Sequence, residues 1–76
     1  MAVRYLSAEN LDSDDFGVPF TQEEGEFVYD GRVKGGTAWA TMSEITFEIY
    51  GVGVGLGLGQ KYKRNDEGHL IMVDAK

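Results

Sequence analysis

Five glycines alternate with four aliphatic residues over Gly51-Val-Gly-Val-Gly-Leu-Gly-Leu-Gly59, and no other stretch restricts the backbone so strongly. In an extended chain, successive side chains point to opposite faces. One face of this segment would carry Val52, Val54, Leu56 and Leu58. The other, at Gly51, Gly53, Gly55, Gly57 and Gly59, would be bare main chain. Bare backbone permits close approach by a ring, a ligand or a partner, and five glycines make the segment costly to order unless something covers it. The indole of Trp39 is the expected cover.

Phosphate cradles are also rich in glycine. The dinucleotide fingerprint ends with glycines three apart, and the P-loop holds them five apart with Lys-Ser or Lys-Thr following. Here the glycines are separated only by even numbers, and Gln60-Lys61-Tyr62 follows. The segment also comes after a predicted helix rather than opening one, so no helix N-terminus faces it. The spacing therefore favours a structural segment packed on an aromatic, or a partner-binding edge, over a phosphate site.

At 76 residues the chain is expected to form a single domain, with an acidic N-terminal loop region over 7–25 and a core over 26–74. Domains this small usually gain stability from disulfides, a metal or self-association. The absence of Cys excludes disulfides and thiolate metal sites, and His69 is the single histidine, which leaves self-association. With 42% apolar residues, the composition is that of a folded chain. No apolar run approaches the ~18 residues of a membrane span, and Met1 to Ser7 does not read as a secretory signal. A cytoplasmic location without membrane contact is expected.

The net charge of −6 is unevenly spread. Residues 1–30 set Glu9, Asp12, Asp14, Asp15, Glu23, Glu24, Glu26 and Asp30 against Arg4 alone, while the remainder is nearly balanced. An acidic surface disfavours nonspecific contact with nucleic acid or anionic lipid and favours a basic partner.

Glu26-Phe-Val-Tyr29 is rich in strand formers, and Asp30-Gly31 is a hairpin-type dipeptide. The return strand begins either at Arg32 or, as favoured here, after Gly35-Gly36 as Thr37-Ala-Trp-Ala-Thr-Met42. Ser43 is a plausible N-cap for a helix of about two turns, with Glu44 in its first turn and Gly51 as its stop. Ile45, Phe47, Ile49 and Tyr50 give that helix one broad apolar face. Gln60 to Arg64 and His69 to Val73 flank Asn65-Asp-Glu-Gly68 as a second hairpin. Ala2 to Leu6 could add a short strand. The expected fold is a small α+β domain: an antiparallel sheet of three to five strands, one short helix and a glycine-rich extended segment. Its expected core is Phe27, Tyr29, Trp39, Ile45, Ile49, Leu70 and Met72.

Motifs with chemistry are sparse. Asp12, Asp14, Gly17 and Glu23 imitate positions 1, 3, 6 and 12 of a calcium loop, but Phe16 and Phe20 occupy positions 5 and 9 and cannot ligate through their side chains. Lys61, Lys63 and Arg64 around Tyr62 form a weak basic patch; alternation places the two lysines on one strand face, opposite Tyr62. No serine has a nucleophile context. Neither an enzyme nor a cofactor or metal is expected.

Two stretches, Tyr29-Asp-Gly-Arg-Val-Lys-Gly-Gly-Thr-Ala-Trp-Ala-Thr-Met42 and Tyr50 to Gln60, resemble a family of short phage and bacterial proteins that look like small zinc ribbons. That pattern runs roughly D-G-R-T-x-x-G-P-W-A-x-M-C-x-x-C and then G-x-G-L-G-x-G-x-G-Q. Where it has Cys-x-x-Cys, this chain has Ser43-Glu-Ile-Thr46, and the upstream pair, near Thr21 to Glu24, is missing as well. Hydroxyls do not replace thiolates on zinc. The resemblance thus implies a metal-free relative of phage type in which packing takes over the role of the metal.

The expected function is a non-catalytic protein-binding module that modulates or inhibits a bacterial host protein. Asp12, Asp14, Asp15, Glu23, Glu24 and Glu26 would supply the electrostatics, and Tyr29 or Tyr62 an anchor. Two alternatives are a small nucleic-acid-binding accessory protein using Arg32, Lys34, Lys61, Lys63 and Arg64, and a structural component that self-associates. A protein is the favoured partner, a second copy the next, and nucleic acid the least favoured.

Overall fold

A computed structural model describes residues 11–74; the strand expected over Ala2 to Leu6 lies outside them. The elements are β1 (Phe27–Arg32), β2 (Trp39–Ser43), α1 (Glu44–Tyr50), β3 (Gly59–Arg64) and β4 (Leu70–Asp74). The strands form an antiparallel sheet in the order β2-β1-β3-β4, so the fold is a small α+β domain. Each flanking hairpin is local, but the pairing of β1 with β3 closes across the helix and the glycine segment.

Register sorts the side chains onto two faces. Val28 lies opposite Ser43 on one side and Tyr62 on the other, and Tyr62 lies opposite Met72. Val28 and Tyr62 form the apolar core with Phe20 and Leu70, and Met72 packs against it. The segment expected to be a solvated acidic loop thus contributes Phe20, 6% exposed, to the core. The other face carries Phe27, Tyr29, Met42, Lys61 and Lys63, with Tyr29 stacked on Phe47 of α1 at 3.9 Å between ring centroids.

The return strand follows Gly35-Gly36, as favoured, with β2 beginning at Trp39, and the Asp30-Gly31 dipeptide is not a turn. Both residues lie within β1, opposite Thr41 and Ala40, and the turn falls further on, with Gly35 at φ +90°. Gly31 serves a close backbone approach instead: it pairs with Gly59, and a Cβ on Gly59 would sit 2.7 Å from the Gly53 carbonyl oxygen and 3.2 Å from the Gly31 Cα.

The glycine segment is ordered by its own backbone and its neighbours' rather than by the indole. Lys34 and Val52 N–H groups donate to the Tyr50 and Arg32 carbonyls, so the chain after α1 first extends the end of β1. It then folds into a tight loop in which Gly55 N–H donates to Gly59 O at 2.9 Å and Leu58 N–H to Gly55 O at 3.0 Å. The Phe47 ring lies against Gly51, and backbone atoms crowd Gly59. Trp39, expected as the cover, is 46% exposed on strand β2. Leu56 stands at the loop tip, 90% exposed.

Two consecutive aspartates tie the 11–26 segment to the outer side of β2. Asp15 exchanges bonds with Thr41: its N–H donates to the Thr41 carbonyl at 3.0 Å, and its carboxylate accepts from the Thr41 N–H at 2.8 Å. Asp14, 5% exposed, accepts from the N–H groups of Phe16, Val18 and Ser43 and from the Thr46 hydroxyl. Strand edges left open are hazards for aggregation, and these contacts occupy the outward N–H groups of Thr41 and Ser43.

Candidate protein interface

The orientation of α1 creates the surface of interest. Ser43 caps the helix, its hydroxyl accepting from the Thr46 N–H at 3.3 Å, and Gly51 closes it by donating to the Phe47 carbonyl. Ser43 and Thr46, where the resembled pattern places cysteines, also hydrogen-bond each other through their hydroxyls. Thr46 then donates to Asp14 at 2.6 Å, which draws it inward; it is the buried residue of the helix. Phe47, the next inward position, lies on Tyr29.

With Thr46 and Phe47 turned in, the isoleucines turn out. Ile45 is 63% and Ile49 55% exposed, correcting their expected place in the core. Both stand one turn apart and are interleaved with exposed Glu44 and Glu48. Phe16 and Tyr50 extend this surface, stacked at 4.8 Å and both partly exposed. On its other side a groove of about 300 Å³, lined by Val18, Pro19, Thr21, Phe27, Glu44 and Ile45, separates the helix from the 11–26 segment.

Several expected site residues are occupied structurally. Asp14 and Asp15 hold β2 and α1 as described. Glu26 accepts from the Thr21 and Gln22 N–H groups and pairs with Arg64 at 3.0 Å. Asp14 cannot serve as a calcium ligand of a loop like the one its spacing imitates, because both its oxygens already accept two hydrogen bonds each. Asp12, Glu23 and Glu24 remain exposed. Tyr29 and Tyr62, expected as anchors, are 6% and 3% exposed and belong to the interior.

The basic residues are dispersed. Arg64 is buried in its pair with Glu26 and donates to the Gly68 carbonyl, Arg32 is half-buried, and Lys34 lies exposed in the β1–β2 turn. Lys61 and Lys63 do share a face, as alternation predicts, with their ammonium groups 4.1 Å and 5.9 Å from the Phe27 ring centroid.

Burial, reinforced by the charges of Glu44 and Glu48, raises the Tyr29 hydroxyl above the ordinary tyrosine range. Asp30 is raised by burial and by the neighbouring Asp15. Burial also pushes Asp14 upward, but the hydrogen bonds from Ser43, Thr46, Val18 and Phe16 outweigh it, and its carboxyl ends below the usual range.

Among the described residues no helix is long and apolar enough to cross a membrane. No family model matches the chain, and neither a curated protein nor a solved structure does.

Proposed function

We propose that this chain is a non-catalytic protein-binding module that docks through the outer face of α1. One observation carries the reading: the helix turns a threonine into the protein and two isoleucines out of it. Among the described residues nine large apolar side chains are exposed while six are buried, an inverted allocation for a domain that needs every apolar contact it can make. Glu44 and Glu48 make the same surface anionic. Their like-charge spacing and the position of Glu48 in the second half of the helix are both unfavourable to an isolated helix. A partner offering apolar recesses between two cationic groups would relieve both.

The reading differs from one based on the acidic 12–26 segment, because Asp14, Asp15 and Glu26 are consumed by the fold. It is tested by affinity capture from bacterial lysate with the wild-type chain and with Ile45→Ser/Ile49→Ser. Captured proteins whose yield falls at least about tenfold with the double variant support it. Capture that is indifferent to both isoleucines, or lost only on changing Lys61 and Lys63 and abolished by nuclease, overturns it in favour of nucleic-acid binding.

A further inference from the structure

The chemistry required of a partner at α1 is present on this chain. Beyond α1, the face of the sheet that bears Phe27 carries Lys61 and Lys63 from β3, with Ile71 of β4 opposite Lys63 and Val73 exposed beside it. A recess of about 250 Å³ lies there, lined by Glu24, Lys63, Arg64, Asn65, Ile71 and Val73. That is room for a branched aliphatic side chain. We infer that the occupant of the α1 face is a second copy of this chain, its Lys61/Lys63 sheet face receiving Ile45 and Ile49 between paired charges in a twofold-symmetric dimer.

The spacings agree. Glu44 and Glu48, four residues apart on a helix, are separated by about 6 Å along its axis. Lys61 and Lys63, two apart on a strand, are separated by about 6.7 Å. Each pair repels itself, and neither has an ion-pair partner among the described residues, where the ion pair present is Arg64 with Glu26. The lysines rest on a phenyl ring instead. An isologous contact uses both surfaces of both copies, so that two carboxylate pairs meet two ammonium pairs and neither of these two surfaces is left unpaired. The small core gives a physical motive, since domains of this size without disulfide or metal commonly gain stability by association.

This inference rests on the α1 docking reading and names its partner. The test is sedimentation velocity from about 1 µM to about 1 mM protein. Wild type is expected to move from monomer to dimer over that range, with association weakened on adding salt. Lys61→Glu/Lys63→Glu and Glu44→Lys/Glu48→Lys, each juxtaposing like charges, are expected to lose dimer by about tenfold or more. Mixing these two variants restores it, because each copy then meets its complement at both contacts. Circular dichroism checks folding, and Glu48→Lys alone replaces the helix variant if that variant unfolds.

A monomer throughout the range overturns the dimer, while isoleucine-dependent capture from lysate would leave the docking reading intact. A dimer that survives both charge reversals and Ile45→Ser/Ile49→Ser overturns the dimer assigned to these surfaces, while capture from lysate again decides the docking reading. Variants that stay monomeric when mixed also overturn the pairing.

Discussion

Asp14 shows how one carboxylate can organise distant parts of a small chain. It joins its own turn to Ser43 and Thr46 across the sequence. Its folded-state pKa lies below the ordinary value near 3.8, so its contribution to stability is full above that pH and is lost as pH falls through the folded value. Asp30 has the opposite sign: raised by burial and by Asp15, it favours the folded state below the ordinary carboxylate range, and that advantage erodes as pH rises through its folded value. Thermal melts at pH 7 are therefore expected to show Asp14→Asn less stable than wild type by about 2–3 kcal/mol, from lost charge-assisted hydrogen bonds, and Asp30→Asn more stable. The Asp14 difference shrinks as pH is lowered below about 3.8, whereas the Asp30 difference shrinks above that value, as pH falls through its raised folded pKa. The sequence showed an acidic run with fragments of a calcium loop; that one of its carboxylates would be buried depended on donors 29 and 32 residues away.

At the scale of the element, α1 illustrates where periodicity stops being sufficient. Its start at Ser43, its acidic first turn and its stop at Gly51 all follow from local chemistry and are as expected. Its facing does not. The apolar positions Ile45, Phe47, Ile49 and Tyr50 cover so wide an arc that they cannot all be buried in a helix of seven residues resting on one face. Asp14 and Tyr29 decide the outcome by holding Thr46 and Phe47, which leaves Ile45, Ile49 and Tyr50 exposed. Thr46→Val is expected to cost about 1–3 kcal/mol, since it leaves a buried carboxylate short of a donor. Ile45→Ser and Ile49→Ser, compared at low protein concentration, are expected to change stability by no more than about 0.5 kcal/mol. Urea midpoints give the comparison. A ranking in which the isoleucines cost more than Thr46 contradicts the facing of the helix.

At the scale of the whole molecule, β1, the glycine loop and the start of β3 converge at Gly59. There the Gly53 carbonyl and the Gly31 Cα leave no space for a side chain. Every atom that a Cβ would meet there belongs to backbone, so relief requires moving a strand. Gly59→Ala is accordingly expected to destabilise by about 1–3 kcal/mol. Gly36→Ala, in the β1–β2 turn with nothing within 4 Å, is expected to be neutral or slightly stabilising. Calorimetry on the two variants separates close backbone packing from the general effect of removing a glycine.

Local chemistry in the sequence was sufficient for the antiparallel α+β architecture, the two hairpins, the helix and its caps, because strand propensity, turn residues and capping act within a few positions. It also marked the alternating glycines as a place of close approach, since only missing Cβ atoms allow one. Tertiary structure alone decided what approached them, which carboxylates were buried, and which side of α1 faced water. Those outcomes depend on contacts between residues far apart in the chain, such as Asp14 with Thr46 and Gly31 with Gly59, and side-chain spacing within one segment carries no information about its neighbour in space.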